Sequence, residues 1–286
     1  MAYLAALGLD DKIWSLTVDR MAAGLVRTTA PFRQRRPRVS PLPGFVISRM
    51  IKKSLPVLPK TIAELDNVCA KSLRTIVLLL IQFYTLARLE DVRHLRAADF
   101  SLVMLENKRA VEIFFRKQKN DQNCAGNTGF IMEEGGATCP YLLIKLFFGR
   151  MGFFFNDGEV SDSNFLLARL RMAPDTRTMI PDGRAAVCQS TLVTDIKTLA
   201  AEVNFKPNVS GKSAKIAGTS AAYACGLSDA DIRDKGRWRS LESALHYRRT
   251  TQAYKLKLAQ ATSIQTEPWN DTVSASRPPC VHDFLL

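Results

Sequence analysis

Histidine is scarce in this chain: His94, His246 and His282 are the only three among 286 residues. So few imidazoles argue against a histidine-ligated metal site and against a hydrolytic triad built on histidine. The six cysteines lie scattered at 69, 124, 139, 188, 225 and 280, and no C-x-x-C pair occurs. They fit no zinc or disulfide framework, and free, mostly buried thiols in a reducing compartment are expected. No apolar run reaches the ~18 residues that a membrane span needs. No charged region precedes an apolar stretch at the N-terminus, so no signal peptide is expected and an intracellular protein is, nuclear if eukaryotic. Internal repeats and low-complexity blocks are missing too. Acidic residues are in short supply: 27 Asp and Glu face 40 Lys and Arg, a net charge of +13. Such an excess points to a polyanionic partner, with nucleic acid ahead of an anionic membrane. With 47% hydrophobic and 23% charged residues, the composition is otherwise that of a globular chain.

Along the chain, residues 1–28 have a helical pattern. Residues 31–43 follow as an extended basic linker, in which four arginines (Arg33, Arg35, Arg36, Arg38) alternate with prolines. It suits a strap on a phosphate backbone, and equally a solvated linker or a nuclear-import patch. Helices are expected over 61–69 and 72–84, the latter burying Leu73, Ile76, Val77, Leu80 and Phe83. Arg88 falls at the join to a new amphipathic helix with Leu89, Val92 and Leu95 inward. Taken alone, Arg88, Asp91 and Arg96 would pass for a salt-bridged helix surface. Residues 111–117 (VEIFFRK) are the clearest strand, paired through a turn at 107–108 with 100–105, and 129–132 makes a third. A helix from Pro140 through 148 and another over 191–203 follow, the second facing Leu192, Ile196, Leu199 and Ala200 inward. Residues 153–157 and 174–184 are expected as loops, with a short strand at 164–167. After residue 262 a polar, loosely ordered tail is expected.

Residues 211–249 carry the densest signal. Three short helices succeed one another there. One spans 212–225 before Gly226, a second is capped by Ser228, and a third is capped by Ser240. At helical spacing Ala217, Ala221, Ala224 and Cys225 share one face, and Lys212, Lys215 and Thr219 share the opposite one. In the third helix Leu241, Ala244, Leu245 and the stem of Arg248 form the inward stripe. Tyr247 lies roughly 110° round from it. A basic pair, a tryptophan between Arg237 and Arg239, and an off-core tyrosine within forty residues suit phosphate chemistry better than core packing.

This order resembles the C-terminal half of a tyrosine recombinase (integrase) catalytic domain, and its Cre-like branch in spacing. Ser210-Gly211-Lys212-Ser213-Ala214-Lys215 stands where that branch has Ser-Gly-His-Ser-Ala-Arg, and Gly236-Arg237-Trp238 where it has Gly-Gly-Trp. His246-Tyr247-Arg248-Arg249 stands where it has Asn-Tyr-Ile-Arg. Thr85-x-x-Arg88-x-x-Asp91, running into Leu95-x-x-x-Asp99, resembles the first-arginine segment of the family, with Asp91 in place of the usual Glu. Lys117-Gln118-Lys119-Asn120-Asp121-Gln122 and the later Cys139-Pro140 are similar to recombinases of DIRS-type retroelements.

The resemblance implies a mainly α fold with a small antiparallel β-sheet. It divides the chain into a short N-terminal region (1–60), a catalytic domain (61–260) and a tail (261–286). It implies no cofactor or metal, double-stranded DNA as partner, and self-assembly into dimers or tetramers on it. Residues 281–286 (VHDFLL) would be a plug for a neighbouring protomer. Tyr247 would be the nucleophile, Arg88 the first phosphate clamp and Lys119 the general acid. Lys212 would take the usual histidine position, Lys215 that of the second arginine, and Trp238 would donate its indole N–H. Arg33, Arg35, Arg36, Arg38, Lys117, Arg237 and Arg239 would bind the DNA backbone. Lysine at 215 keeps charge but loses the planar two-pronged grip of arginine, which suits a slow enzyme or a decayed copy that only binds DNA.

Overall fold

The segment AKSLRTIVLLLIQFYT is apolar almost all round, so its helix has to be surrounded rather than laid on a surface. In the computed structural model, which describes residues 39–59, 64, 68–116, 127–172, 179–245 and 247, it is the longest described helix. We number the described helices from α1 (Gly44–Ser54), which makes this one α2 (Ala70–Thr85). Helices α1, α4 (Pro140–Met151), α5 (Gln189–Glu202) and α6 (Ser213–Ala224) pack around α2. Its few polar side chains are tied across the core. Arg74 meets Asp195 at 2.9 Å and donates to the Ala168 carbonyl at 2.9 Å, and Gln82 donates to the Gly211 carbonyl at 2.8 Å. Pairing of this kind is what permits charge to be buried at all.

Leu86 ends α2 in the left-handed conformation (φ 55°), and the chain re-enters helix α3 (Leu89–Arg93) with Arg88 at its N-cap. Leu89, Val92 and Leu95 are buried as the sequence pattern predicts. Strands β1 (Phe100–Leu105), β2 (Lys108–Phe115) and β3 (Asn127–Met132) form an antiparallel sheet in the order β1-β2-β3. The β1–β2 turn puts Glu106 and Asn107 at positive φ, the two-residue form that matches strand twist.

Two expectations about these elements need correction. First, 174–184 is not a loop throughout: β4 (Ala168–Met172) and β5 (Met179–Ala186) make a second antiparallel pair, and 164–167 holds only a bridge from Phe165 to Arg96. Pro181 and Gly183 disguise β5, yet both are tolerated in a two-stranded ribbon that has no central strand. Second, the thiols are not mostly buried. Of the four described, Cys139 is buried, whereas Cys69, Cys188 and Cys225 are exposed free thiols. The sequence left the facing of α6 open, and the structure decides it. Lys215 and Thr219 are buried and Ala224 and Cys225 are exposed, because Gly218 rests directly on the end of α2. A Cβ at Gly218 would lie 2.1 Å from the Phe83 carbonyl oxygen, so only this face lets the two backbones meet.

Helix α1 is a further finding, since the sequence pattern singled out no helix there. Its Val46, Ile47, Met50 and Ile51 join the main core, and the chain before it donates from Leu42 N–H to the Ser213 carbonyl at 3.0 Å. Two short helices complete the described chain. In α7 (Asp229–Lys235) Ser228 and Asp231 form a reciprocal capping box, and in α8 (Leu241–Leu245) Ser240 accepts from the Ser243 N–H. Among the described residues of the expected inward stripe of α8, Ala244 is buried and Leu241 and Leu245 are exposed. The expected helices over 1–28 and most of 61–69, the arginines of 31–38 and the tail after 262 lie outside the described residues. Among the described residues no helix is long and apolar enough to cross a membrane.

Candidate active site

Four elements converge at the C-terminal end of α2: the α2–α3 joint, α6, the turn after α7, and the residue after α8. A small core of its own holds them together, made of Leu86, Ala222, Ile232, Trp238 and Ala244 with Tyr223, Leu227 and Tyr247 packed against it.

The joint supplies Arg88 and Asp91. The Arg88 backbone N–H donates to the Asp91 carboxylate at 3.0 Å, so the loop into α3 and its first turn lock each other. Asp91 itself is buried, which places a carboxylate inside the cluster.

Helix α6 supplies Lys215, 1% exposed. Its Nζ lies 4.3 Å from the centre of the Trp238 ring and 5.0 Å from that of Tyr247. Burial pushes its pKa down to about 6; the positive charges of Arg88 and Arg237 push the same way, and Asp91 opposes them. Two ring faces favour the ammonium form, but such contacts are modest beside the loss of hydration. At neutral pH the amine is therefore largely uncharged.

The turn after α7 supplies Arg237 and Trp238. The backbone N–H of Trp238 donates to the Arg233 carbonyl at 3.0 Å and that of Arg237 to the Asp234 carbonyl at 3.0 Å, the paired bonds of a Schellman ending. Arg237 holds the left-handed position, φ 54°, where a non-glycine residue costs about 1–2 kcal/mol. A Cβ at Gly236 would fall 1.9 Å from the Trp238 ring, so the indole lies flat against the turn. Its Nε1–H is buried and has no hydrogen-bond partner among the described residues. An orphaned buried donor costs about 1–3 kcal/mol, which calls for an acceptor.

Arg237 does not point at solvent as a DNA-backbone arginine would. Its guanidinium lies 4.1 Å over the Phe115 ring and donates to the Thr85 carbonyl at 3.1 Å. Burial pushes its pKa down to about 10, with Asp91 opposing and Arg88 reinforcing, so it stays charged at neutral pH. The one cue in the sequence is an arginine directly after the Lys235-Gly236 helix stop, where glycine or asparagine would be usual.

Tyr247 follows α8, half-buried, its ring 5.4 Å from that of Trp238 at 35°. The structure thus gathers Arg88, Lys215, Arg237, Trp238 and Tyr247 into one cluster. Lys212, at the N-cap of α6, and Arg239 are both exposed. Lys117, Lys119, Arg33, Arg35, Arg36 and Arg38 lie outside the described residues.

No protein-family model matches the chain, and no curated protein matches it. Solved structures do. The XerH site-specific recombinase bound to its palindromic difH substrate in a post-cleavage complex aligns with a TM-score of 0.51 at 12% identity, over 78% of this chain and 52% of that one. XerA recombinase aligns with a TM-score of 0.51 at 12% identity, over 81% of this chain and 67% of that one. The chain spans about half the length of XerH. At this identity the likeness is one of fold: mainly helical with small antiparallel sheets, as in tyrosine recombinase catalytic domains.

Proposed function

We propose that residues 61–260 are the catalytic domain of a tyrosine recombinase. On this reading the chain breaks and rejoins double-stranded DNA through a 3′-phosphotyrosyl intermediate, with α1 packed into the core of that domain and residues 261–286 as an accessory segment. The observation that carries the reading is the indole N–H of Trp238, buried and unpartnered among the described residues, on a ring that lies beside both Lys215 and the Tyr247 ring. A phosphate oxygen is the acceptor it suits, and cations beside it would oppose the charge that builds up during displacement.

Tyr247 Oη gives up its phenol proton to solvent, attacks phosphorus and forms the tyrosyl ester; the P–O bond to the 5′ oxygen breaks, and that oxygen leaves as a hydroxyl after taking a proton. Lys119 is the proposed proton donor. Arg88 holds a non-bridging oxygen and Trp238 donates to one. Lys215 takes up a proton as the anion arrives, because a phosphate at this site raises its pKa. Lys212, exposed at the start of α6, is proposed as a further donor, and Arg33, Arg35, Arg36, Arg38, Lys117 and Arg239 as backbone contacts. Self-assembly on DNA is part of the proposal. So is a Cre-like, DIRS-type retroelement origin, which rests on the sequence resemblance alone.

One observation favours a second reading, a catalytically impaired DNA-binding derivative: Lys215 is buried with its pKa near 6, where an arginine would keep its charge. Suicide-nicked duplexes separate the two. The recombinase reading expects a covalent adduct that Tyr247→Phe abolishes while duplex affinity stays within about twofold, since one phenol oxygen adds little to many phosphate contacts. Tight, salt-sensitive binding with no adduct would leave the derivative as the better account.

A further inference from the structure

Arg237 combines three features that a surface arginine does not need. Its backbone occupies a conformation that disfavours side chains, its guanidinium turns inward, and it joins a cluster already rich in positive charge. The inward turn follows from the backbone: the Schellman ending of α7 fixes Arg237 in the left-handed position and aims it at the end of α2. There the Thr85 carbonyl holds one edge of the guanidinium and Phe115 supports its face. Thr85 lies three residues before Arg88, so one short joint positions both arginines.

We propose that Arg237 is the second guanidinium of the phosphate clamp, gripping the scissile phosphodiester beside Arg88 where Lys215 offers no fork. The proposal rests on the recombinase reading above. Arg88 acts on both Lys215 and Arg237, and among the described residues Asp91 is a carboxylate that opposes them. Such crowding of like charge is unfavourable in a purely structural network and favourable where an anion is to be bound. Arg237 remains charged at neutral pH and Lys215 largely does not, so the fixed charge and the planar pair of donors come from position 237. Lys215 then serves as the switchable member of the clamp, charged once phosphate is present.

The test is single-turnover adduct formation by the full chain on a suicide-nicked duplex, together with calorimetric titration of orthovanadate. Arg237→Gly frees the backbone of its left-handed constraint while removing the fork. It is expected to slow adduct formation by roughly 10²–10³-fold, the usual effect of losing one transition-state donor. Arg237→Lys, which keeps charge but not geometry, should fall between. Adding Lys215→Arg to Arg237→Gly is expected to recover about tenfold or more, a rescue that a merely structural role would not produce. A rate for Arg237→Gly within about twofold of wild type overturns the proposal, as does a loss that Lys215→Arg cannot relieve in a variant with an unchanged melting temperature. If wild type forms no adduct, the recombinase reading fails, and orthovanadate decides the clamp separately. Affinity weaker by about tenfold in Arg237→Gly supports it; equal affinities, or no binding by wild type, overturn it.

Discussion

The burial of Lys215 gives it a thermodynamic signature that can be measured. Its proton binds at about pH 6 in the folded chain, against an ordinary value of 10.5. Between these limits the unfolded chain holds a proton that the folded chain does not, so stability should rise with pH across that window. Lys215→Met keeps an unbranched stem without the amine. It is expected to stabilise the free protein by about 1–4 kcal/mol at pH 6 and below, and hardly at all above about pH 10.5. Urea melts across pH give the answer; a gain independent of pH would mean that the folded site keeps the lysine protonated. Cys188 offers a second residue-scale expectation. Ser190 and Thr191 lie 3.1 and 2.9 Å from its Sγ, and their hydrogen bonds hold the thiol down to about 7. Among the described cysteines it should react fastest with iodoacetamide, with a rate that rises through pH 7. Modification of Cys69 or Cys225 ahead of it would contradict this.

Where an element carries its own local signal, the sequence was enough. The Ser228–Asp231 box starts α7, Pro140 opens α4, and alternation in VEIFFRK marks β2. The order of Arg88, Trp238 and Tyr247 was legible in the same way. The facing of α6 was not, because Ala, Gly and Ser on every side leave no apolar stripe, and the choice is made by one backbone contact at Gly218. Nor was the inward turn of Arg237, which follows from a φ angle rather than from residue type. The contact at Gly218 can be tested directly. Gly218→Ala should push α6 off α2 and cost about 1–3 kcal/mol or more. Gly135→Ala, where an added Cβ meets nothing within 4 Å, is the matched control and should leave the urea midpoint unchanged.

For the whole molecule, the charge of +13 and the proposed assembly make the tail informative. Deleting residues 263–286 should weaken assembly on paired sites while sparing binding to a single site, measured by gel shift at fixed salt. Assembly that persists at the same concentration would count against a role for residues 281–286. A different consequence follows from the way the interior is divided. Most buried side chains belong to one large cluster around α2, whereas Trp238 and Tyr247 belong to a small one of which Leu86 and Ala244 are also part. Less apolar area holds the small cluster, so it should open on its own at a fraction of the global unfolding free energy. Amide protons of α7 and α8 would then exchange with deuterium long before those of α2. The segment of the proposed nucleophile would then loosen ahead of the main core, and on the proposed reading strand exchange would require that segment to release one DNA end and receive another.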